Sequence, residues 1–191
     1  LVMDNTAAPI LCKPIEHGAA AVVYSATKYL GGHGTTVGGL VIDGGNFDWA
    51  AHKERFPTLN EPDQSYHSAV WTEAAKPLGP IAFILRMRVI LLRDMGAALS
   101  PFNSWQLMQG METVALRMRA HCENAAAVAK FLDEHPKVSR VIHPSLQSGV
   151  QRQRADAYLK GGFGGLVGFE IAGGVEAGRK FIDSLELVYH V

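Results

Sequence analysis

Short apolar runs, each followed by glycine or polar residues, constrain the fold of this chain more than any other feature. The runs cover residues 1–3, 19–24 and 39–42 and lead into Asp4-Asn5-Thr6, Ser25-Ala26-Thr27-Lys28 and Asp43-Gly44-Gly45, respectively. Runs of this length bounded by turn residues are typical of buried strands. Because ligands of α/β proteins bind where parallel strands end, the pattern predicts an α/β fold with a ligand-binding sheet edge.

A helical region follows these strands. Residues 46–78 mix aromatic residues with prolines, which indicates a long and partly irregular surface excursion. Apolar residues then recur at helical spacing over 79–95, and Ser100-Pro101 supplies an N-cap followed by proline at the first helical position. The helical pattern persists to Pro136, which is too long for one uninterrupted helix of average length.

We therefore expect a domain boundary near Thr113. Residues 1–113 would form the last part of a large α/β domain, and residues 114–191 the first part of a smaller α+β domain. Beyond the boundary the pattern predicts two strands and a final helix, at residues 138–143, 165–171 and 175–191.

Composition limits the class of protein and its partners. The 191 residues carry 18 Lys plus Arg against 18 Asp plus Glu, so the formal net charge is zero. Such a chain offers no broad basic surface, which disfavours nucleic acid and membranes as principal partners. The most apolar stretch, residues 81–92, is interrupted by arginines and is shorter than the ~20 residues that cross a bilayer. The chain opens without an initiator methionine or a signal segment, so we expect a fragment of a longer protein.

The cysteines indicate a compartment rather than a metal site. Cys12 and Cys122 are far apart, and no Cys-x-x-Cys or paired Cys/His spacing accompanies them. This pattern favours a reducing, cytoplasmic location and disfavours a bound metal.

The segment from Ser25 to Lys28 carries the clearest chemical signal. Two hydroxyls, on Ser25 and Thr27, can donate to phosphate oxygens, and the Lys28 amine can form a Schiff base with an aldehyde. This combination suits pyridoxal phosphate. At the end of an earlier strand, the Asp4 carboxylate could pair with the protonated ring nitrogen of that cofactor, whose ring then accepts electrons from a substrate carbanion.

Each of these residues also has a purely structural interpretation. Lys28 could be a solvated surface lysine, since most lysines are. Asp4 could cap a turn, and the hydroxyls of Ser25 and Thr27 could bind nearby backbone. The functional interpretation therefore depends on the order and the joint context of the four residues.

In that joint context the sequence resembles a known family. Residues 2–6 (Val-Met-Asp-Asn-Thr), followed by residues 25–34 (Ser-Ala-Thr-Lys-Tyr-Leu-Gly-Gly-His-Gly), resemble the cofactor segment of the Cys/Met-metabolism family of pyridoxal-phosphate enzymes. The similarity continues through the helical region, in the motifs Ser100-Pro101-Phe102-Asn103, Gln109-Gly110-Met111-Glu112-Thr113 and His121-Cys122-Glu123-Asn124-Ala125. It covers essentially the whole chain.

The resemblance implies a fold, a cofactor and a set of roles. The fold would be that of a fold-type I, aspartate aminotransferase-like PLP-dependent transferase, with a mostly parallel sheet domain that binds the cofactor and a smaller C-terminal domain. Lys28 would be the catalytic residue and hold pyridoxal 5'-phosphate as a covalent aldimine. Asp4 would face the pyridinium nitrogen, and Ser25 and Thr27 would bind the phosphate. The family also implies a homodimer or homotetramer with shared active sites, and further site residues outside this chain.

Within the family, the glycine-rich run at 32–39 and the insertion at 47–67 most resemble the O-acetylhomoserine sulfhydrylase branch. This branch implies γ-replacement on O-acetyl-L-homoserine by sulfide or methanethiol, which yields homocysteine or methionine and acetate and belongs to methionine biosynthesis and transsulfuration. Two alternatives stay open. One is a sister enzyme, a cystathionine γ-synthase or a cystathionine or methionine γ-lyase, and the other is a non-catalytic scaffold that retains the fold.

Overall fold

The computed structural model describes residues 1–189 of the chain, which fold into two compact units. Unit 1 comprises Leu1–Pro9 and Lys13–Val114, and unit 2 comprises Ile10–Cys12 and Ala115–Val191. That residues 1–113 belong to a cofactor-binding domain and residues 114–191 to a C-terminal domain of a longer protein stays a prediction.

Unit 1 begins with a three-stranded sheet of order β1-β2-β3. The strands are β1 (Val2–Asp4), β2 (Ala21–Ser25) and β3 (Gly39–Asp43), close to the three predicted apolar runs. β1 pairs with β2 in parallel, and β2 pairs with β3 antiparallel, with Ser25 opposite Gly39. The β2–β3 connection contains no helix, which fits an antiparallel pair, because parallel neighbours ordinarily need a helical crossover. Because β1 and β2 run in the same direction and β3 runs in the opposite one, the carboxyl ends of β1 and β2 share one sheet edge with the amino end of β3.

The aromatic segment that follows forms a core of its own. Its short helices are α1 (Pro57–Asn60), α2 (Trp71–Ala74) and α3 (Ala82–Arg86), and α3 continues as a π-helix over Met87–Asp94. Trp49, Leu59 and Trp71 are buried and pack together with Ala75 and Ala82. The predicted surface excursion is therefore wrong for its aromatic residues, because they remove one another from water. We call this set of five buried residues the aromatic cluster.

Helix α4 (Pro101–Glu112) completes unit 1 and begins as predicted. The Ser100 hydroxyl accepts a hydrogen bond from the backbone N–H of Asn103 (3.1 Å), and Pro101 occupies the first turn. Helix α5 (Val114–Asp133) begins directly after Thr113. The long helical pattern of the sequence therefore forms two helices, α4 and α5, rather than one.

Unit 2 consists of α5 and a small α+β arrangement. β4 (Val138–Ile142) pairs antiparallel with β5 (Gly168–Ile171), which confirms both predicted strands. Helix α6 (Gly149–Tyr158) lies between them in sequence, and α7 (Gly174–Asp183) follows β5. The predicted final helix, 175–191, ends at Asp183 instead, and its last two residues lie outside the described part of the chain. Within residues 1–189, five short 3-10 helices complete the elements, at Pro14–His17, Ala50–His52, Gln64–Tyr66, Lys76–Leu78 and Pro144–Leu146.

Candidate active site

The sheet edge formed by the ends of β1 and β2 brings the predicted site residues together. Asp4 is the last residue of β1, and Ser25 is the last residue of β2. Thr27 and Lys28 follow within the turn that leaves β2. The parallel register places Asp4 opposite Val23, two residues before Ser25. All four residues therefore lie on or directly beyond one edge of the sheet.

Asp4 is held by the chain that follows it. The backbone N–H of Thr6 donates to Asp4 Oδ1 at 2.9 Å, which closes a tight turn. The Thr6 hydroxyl and this N–H both stabilise the ionised carboxylate, so they lower the pKa of Asp4 below its ordinary value. Asp4 therefore does cap a turn, as its structural interpretation predicts. Within this turn its carboxylate is exposed and stays ionised.

Thr6 also contacts Ser25. The backbone N–H of Ser25 donates to Thr6 Oγ1 at 2.7 Å, immediately after the last β1–β2 backbone bond, Asn5 N–H to Val23 O at 3.0 Å. Thr6 is not among the site residues predicted from the sequence. Its only sequence signal is that it stands two residues after Asp4, a spacing typical of aspartate turns.

Lys28 lies in a compact turn. Its backbone N–H donates to Ser25 O at 3.2 Å, and its own carbonyl accepts from the N–H of Gly32 at 2.8 Å. The side chain is exposed, and the Nζ atom has no hydrogen-bond or salt-bridge partner among residues 1–189. The backbone of this lysine is fixed while its amine stays available for chemistry.

The two hydroxyls differ in how they are used. Thr27 Oγ1 accepts from the N–H of Gly38 (2.9 Å) and donates to the Gly38 carbonyl (3.3 Å). The Ser25 hydroxyl has no hydrogen-bond partner in the described part of the chain. Ser25 can therefore donate to a phosphate oxygen directly, whereas Thr27 must first exchange its bond to Gly38.

Helix α4 supports the turn that contains Lys28. A Cβ atom on Gly110 would lie 2.1 Å from the carbonyl oxygen of Gly31, so the helix and turn backbones are in direct contact. The Thr36 hydroxyl donates to Gln106 Oε1 at 2.7 Å, which ties the glycine-rich run to the same helix. His33 Nδ1 lies 2.8 Å from Gly31 O and so has a structural contact inside the turn.

The donor set at this edge fits pyridoxal phosphate. The edge offers an available amine, an available hydroxyl and a carboxylate that stays ionised, which match an aldehyde, a phosphate and a protonated ring nitrogen. Among the described residues, no three His, Cys, Asp or Glu side chains form a group that could hold a metal ion. Within residues 1–189, no helix is long and apolar enough to span a membrane.

The fold and the edge together indicate the class of protein: an α/β protein with a candidate site around Lys28 at the carboxyl ends of two of its strands. The family described as Cys/Met metabolism PLP-dependent enzyme matches residues 1–191, and the chain belongs to this family. The resemblance and the fold class expected from the sequence are therefore confirmed.

The chain is also similar to individual curated proteins and solved structures. The chain is 51% identical over 194 residues to the O-acetyl-L-homoserine sulfhydrylase of Leptospira meyeri, covering 98% of this chain and 43% of that protein. It is 45% identical over 189 residues to the homocysteine synthase of Schizosaccharomyces pombe, with the same coverage of 98% and 43%. The chain thus spans less than half the length of these relatives.

Solved structures match over the whole chain, and one of them comes from Campylobacter jejuni. It is described as an O-acetylhomoserine (thiol)-lyase and carries N'-pyridoxyl-lysine-5'-monophosphate. The two proteins are 35% identical, the TM-score is 0.86, and the match covers 100% of this chain and 46% of that one. This similarity in fold extends through both units.

Proposed function

We propose that the protein to which this chain belongs is an O-acetylhomoserine sulfhydrylase. It would replace the acetoxy group on the γ carbon of O-acetyl-L-homoserine by sulfide or methanethiol, and release homocysteine or methionine together with acetate. The names of the relatives support this substrate class. The observation that carries the proposal is the available amine of Lys28 at the same sheet edge as the ionised Asp4 and the available hydroxyl of Ser25.

Lys28 would be the catalytic residue. Its Nζ would hold the cofactor and then move protons at the α and β carbons of the substrate, while acetate leaves from the γ carbon. When bound, pyridoxal phosphate supplies the electron sink that makes the α proton removable. The exposed side chain of Lys28 has the freedom for such transfers because only its backbone is fixed.

The other residues would bind and orient. Asp4 would hold the proton on the ring nitrogen, and its lowered pKa keeps it anionic throughout the neutral range. Ser25 and Thr27 would donate hydroxyl protons to the phosphate. Thr27 would do so at the cost of its bond to Gly38 O, so we expect Ser25 to contribute more.

We further propose a cytoplasmic homodimer or homotetramer with shared active sites. Neither Cys12 nor Cys122 forms a disulfide, which suits a reducing compartment. The small-molecule partners would be the amino-acid substrate and sulfide or a thiol.

The test is a product assay on the full-length protein loaded with pyridoxal phosphate. With O-acetyl-L-homoserine and sulfide we expect homocysteine and acetate in equal amounts, and no homocysteine when sulfide is left out. Cystathionine formed preferentially from L-cysteine as acceptor would support a γ-synthase instead. Keto acid and ammonia released without an acceptor would support a γ-lyase. A protein that takes up no cofactor would contradict an enzymatic function altogether.

A further inference from the structure

Thr6 connects the two ends of the candidate site. β1 ends at Asp4, so the backbone of this strand supplies no acceptor for the N–H of Ser25 at the end of β2. Thr6 Oγ1 takes the place of that acceptor at 2.7 Å. The bond extends the pairing of the two parallel strands beyond the point where their backbone ladder ends, with a side chain in place of a carbonyl.

The direction of this hydrogen bond determines which further hydrogen bond the Thr6 hydroxyl can form. A threonine hydroxyl has two acceptor lone pairs and one proton. Because Oγ1 accepts from Ser25 N–H, its own proton remains to be donated. The carboxylate of Asp4, which already accepts the Thr6 backbone N–H at 2.9 Å, is stabilised in its ionised form by the same hydroxyl. Hydrogen bonds to a charged acceptor are stronger than neutral ones, and bonds in a chain polarise one another.

Resting on the function proposed above, we propose that Thr6 is a positioning residue, whose hydroxyl orients Asp4 toward the cofactor's ring nitrogen and fixes Ser25 at its phosphate. A single side chain then sets the spacing between the two residues that grip opposite ends of the cofactor. The hydroxyl would act through these two neighbours, Asp4 and Ser25.

The test compares three variants of the full-length protein. Thr6→Val removes the hydroxyl at nearly constant shape, and Thr6→Ser retains it. Thr72→Val is the matched control, since its hydroxyl donates to Asn60 Oδ1 at 3.0 Å in the same unit without contact to Asp4 or Ser25. The readouts are the dissociation constant of pyridoxal phosphate, from titration of the cofactor-free protein, its dependence on pH, and the Tm of the cofactor-free protein.

We expect Thr6→Val to weaken cofactor binding about tenfold, the effect of one lost charge-assisted hydrogen bond. The loss of binding on acidification should also shift to higher pH, because Asp4 without the hydroxyl takes up a proton more readily. Thr6→Ser should bind within about twofold of wild type with an unshifted pH profile, because it retains the hydroxyl. Thr72→Val should change the Tm but neither binding parameter.

Two results would overturn this inference alone: wild-type affinity and pH profile in Thr6→Val, or equal impairment of Thr6→Ser and Thr6→Val. A wild-type protein that binds no pyridoxal phosphate would overturn the proposed function and this inference together. If Thr6→Val does not fold, the pair Thr6→Ser and Thr6→Ala gives the same comparison, because these two variants also differ by one hydroxyl.

Discussion

The site edge and the aromatic cluster belong to the same unit but are stabilised in different ways. At the site edge, Asp4 and Lys28 are exposed and are positioned by hydrogen bonds to neighbouring backbone. In the aromatic cluster, Trp71 is 1% exposed and Trp49 is 7% exposed, and they are positioned by ring contacts. Trp49 packs edge-on against Phe56 with centroids 5.1 Å apart. The first arrangement keeps polar groups available, and the second removes apolar area from water.

The two regions also lie at opposite ends of β3. Gly39 begins the strand beside Ser25 at the site edge, whereas Asp43 ends it opposite Ala21. From there Asp43 Oδ2 accepts the backbone N–H of Ile84, at 3.3 Å, on the helix that packs against the aromatic cluster. Substitutions in the two regions should therefore separate chemistry from stability.

The largest expected effect belongs to Lys28. Lys28→Ala in the full-length protein should lower turnover by at least about a thousandfold, since general acid–base catalysis contributes about 10²–10⁴ and the link to the cofactor is lost as well. The Tm of the cofactor-free protein should stay within a few degrees, because the side chain is exposed. Lys53→Ala, at another exposed lysine of the unit, is the control and should retain activity. Near wild-type turnover in Lys28→Ala would refute the assigned role.

For Trp71 we expect the reverse of the result for Lys28, namely a loss of stability without a loss of turnover. Its indole N–H donates to Asp63 Oδ2 at 2.9 Å, and its ring stacks on Tyr66 with centroids 5.0 Å apart. Trp71→Ala should lower the free energy of unfolding by about 3–5 kcal/mol, measured by urea unfolding at fixed protein concentration. The folded fraction should keep its turnover. Trp105→Ala, at a half-exposed tryptophan on α4, should cost much less, and equal costs would show that burial does not set the difference.

Gly110 joins packing to the site edge, so its substitution should affect both properties. The added Cβ of Gly110→Ala would lie 2.1 Å from Gly31 O and push α4 away from the turn that contains Lys28. We expect a loss of about 1–3 kcal/mol in unfolding free energy and weaker cofactor binding. Gly178→Ala is the matched control, since this helical glycine has open space around its Cβ and should gain about 0.5–1 kcal/mol. Unchanged cofactor binding in Gly110→Ala would mean that α4 does not support the site.

The smallest effect concerns acid stability, for which each region has a carboxylate with a lowered pKa. The pKa of Asp63 is lowered chiefly by hydrogen bonds from Ser65 and Trp71, with Arg86 as a further cause. A lowered folded-state pKa stabilises the fold above the unfolded value of ~3.9 and loses that contribution as the pH falls through the folded value. The free energy of unfolding should therefore depend less on pH in Asp63→Asn than in wild type between about pH 5 and 2. The same pH dependence in the two proteins would contradict this.

The strands were predictable because short apolar runs bounded by turn residues mark them locally. The location of Asp4, Ser25, Thr27 and Lys28 at one edge follows from the parallel pairing of β1 and β2, although their roles stay predictions. The bond between Thr6 and Ser25 joins residues on different strands, and nothing local in the sequence encodes it. Helix α6 has a strongly polar sequence with no apolar stripe, so hydrophobic periodicity gave no signal for it.

The aromatic segment shows the complementary limit. Its prolines correctly indicated an irregular backbone, which the structure shows as several short helices. Composition alone could not tell whether its aromatic rings face water or one another. Burial depends on tertiary contacts such as the stacking of Trp49 on Phe83, whose centroids are 5.3 Å apart across more than thirty residues of sequence. Such a contact is set by how the chain turns back, which short-range patterns do not specify.

The central claim, that Lys28 carries the cofactor, is tested most directly by chemical trapping. The full-length protein loaded with pyridoxal phosphate is reduced with borohydride, digested, and the labelled peptide identified by mass spectrometry. We predict that the pyridoxyl label is found on Lys28 and is absent from Lys28→Ala treated in the same way. A label on a different lysine, or an active protein with no labelled peptide, would contradict the account.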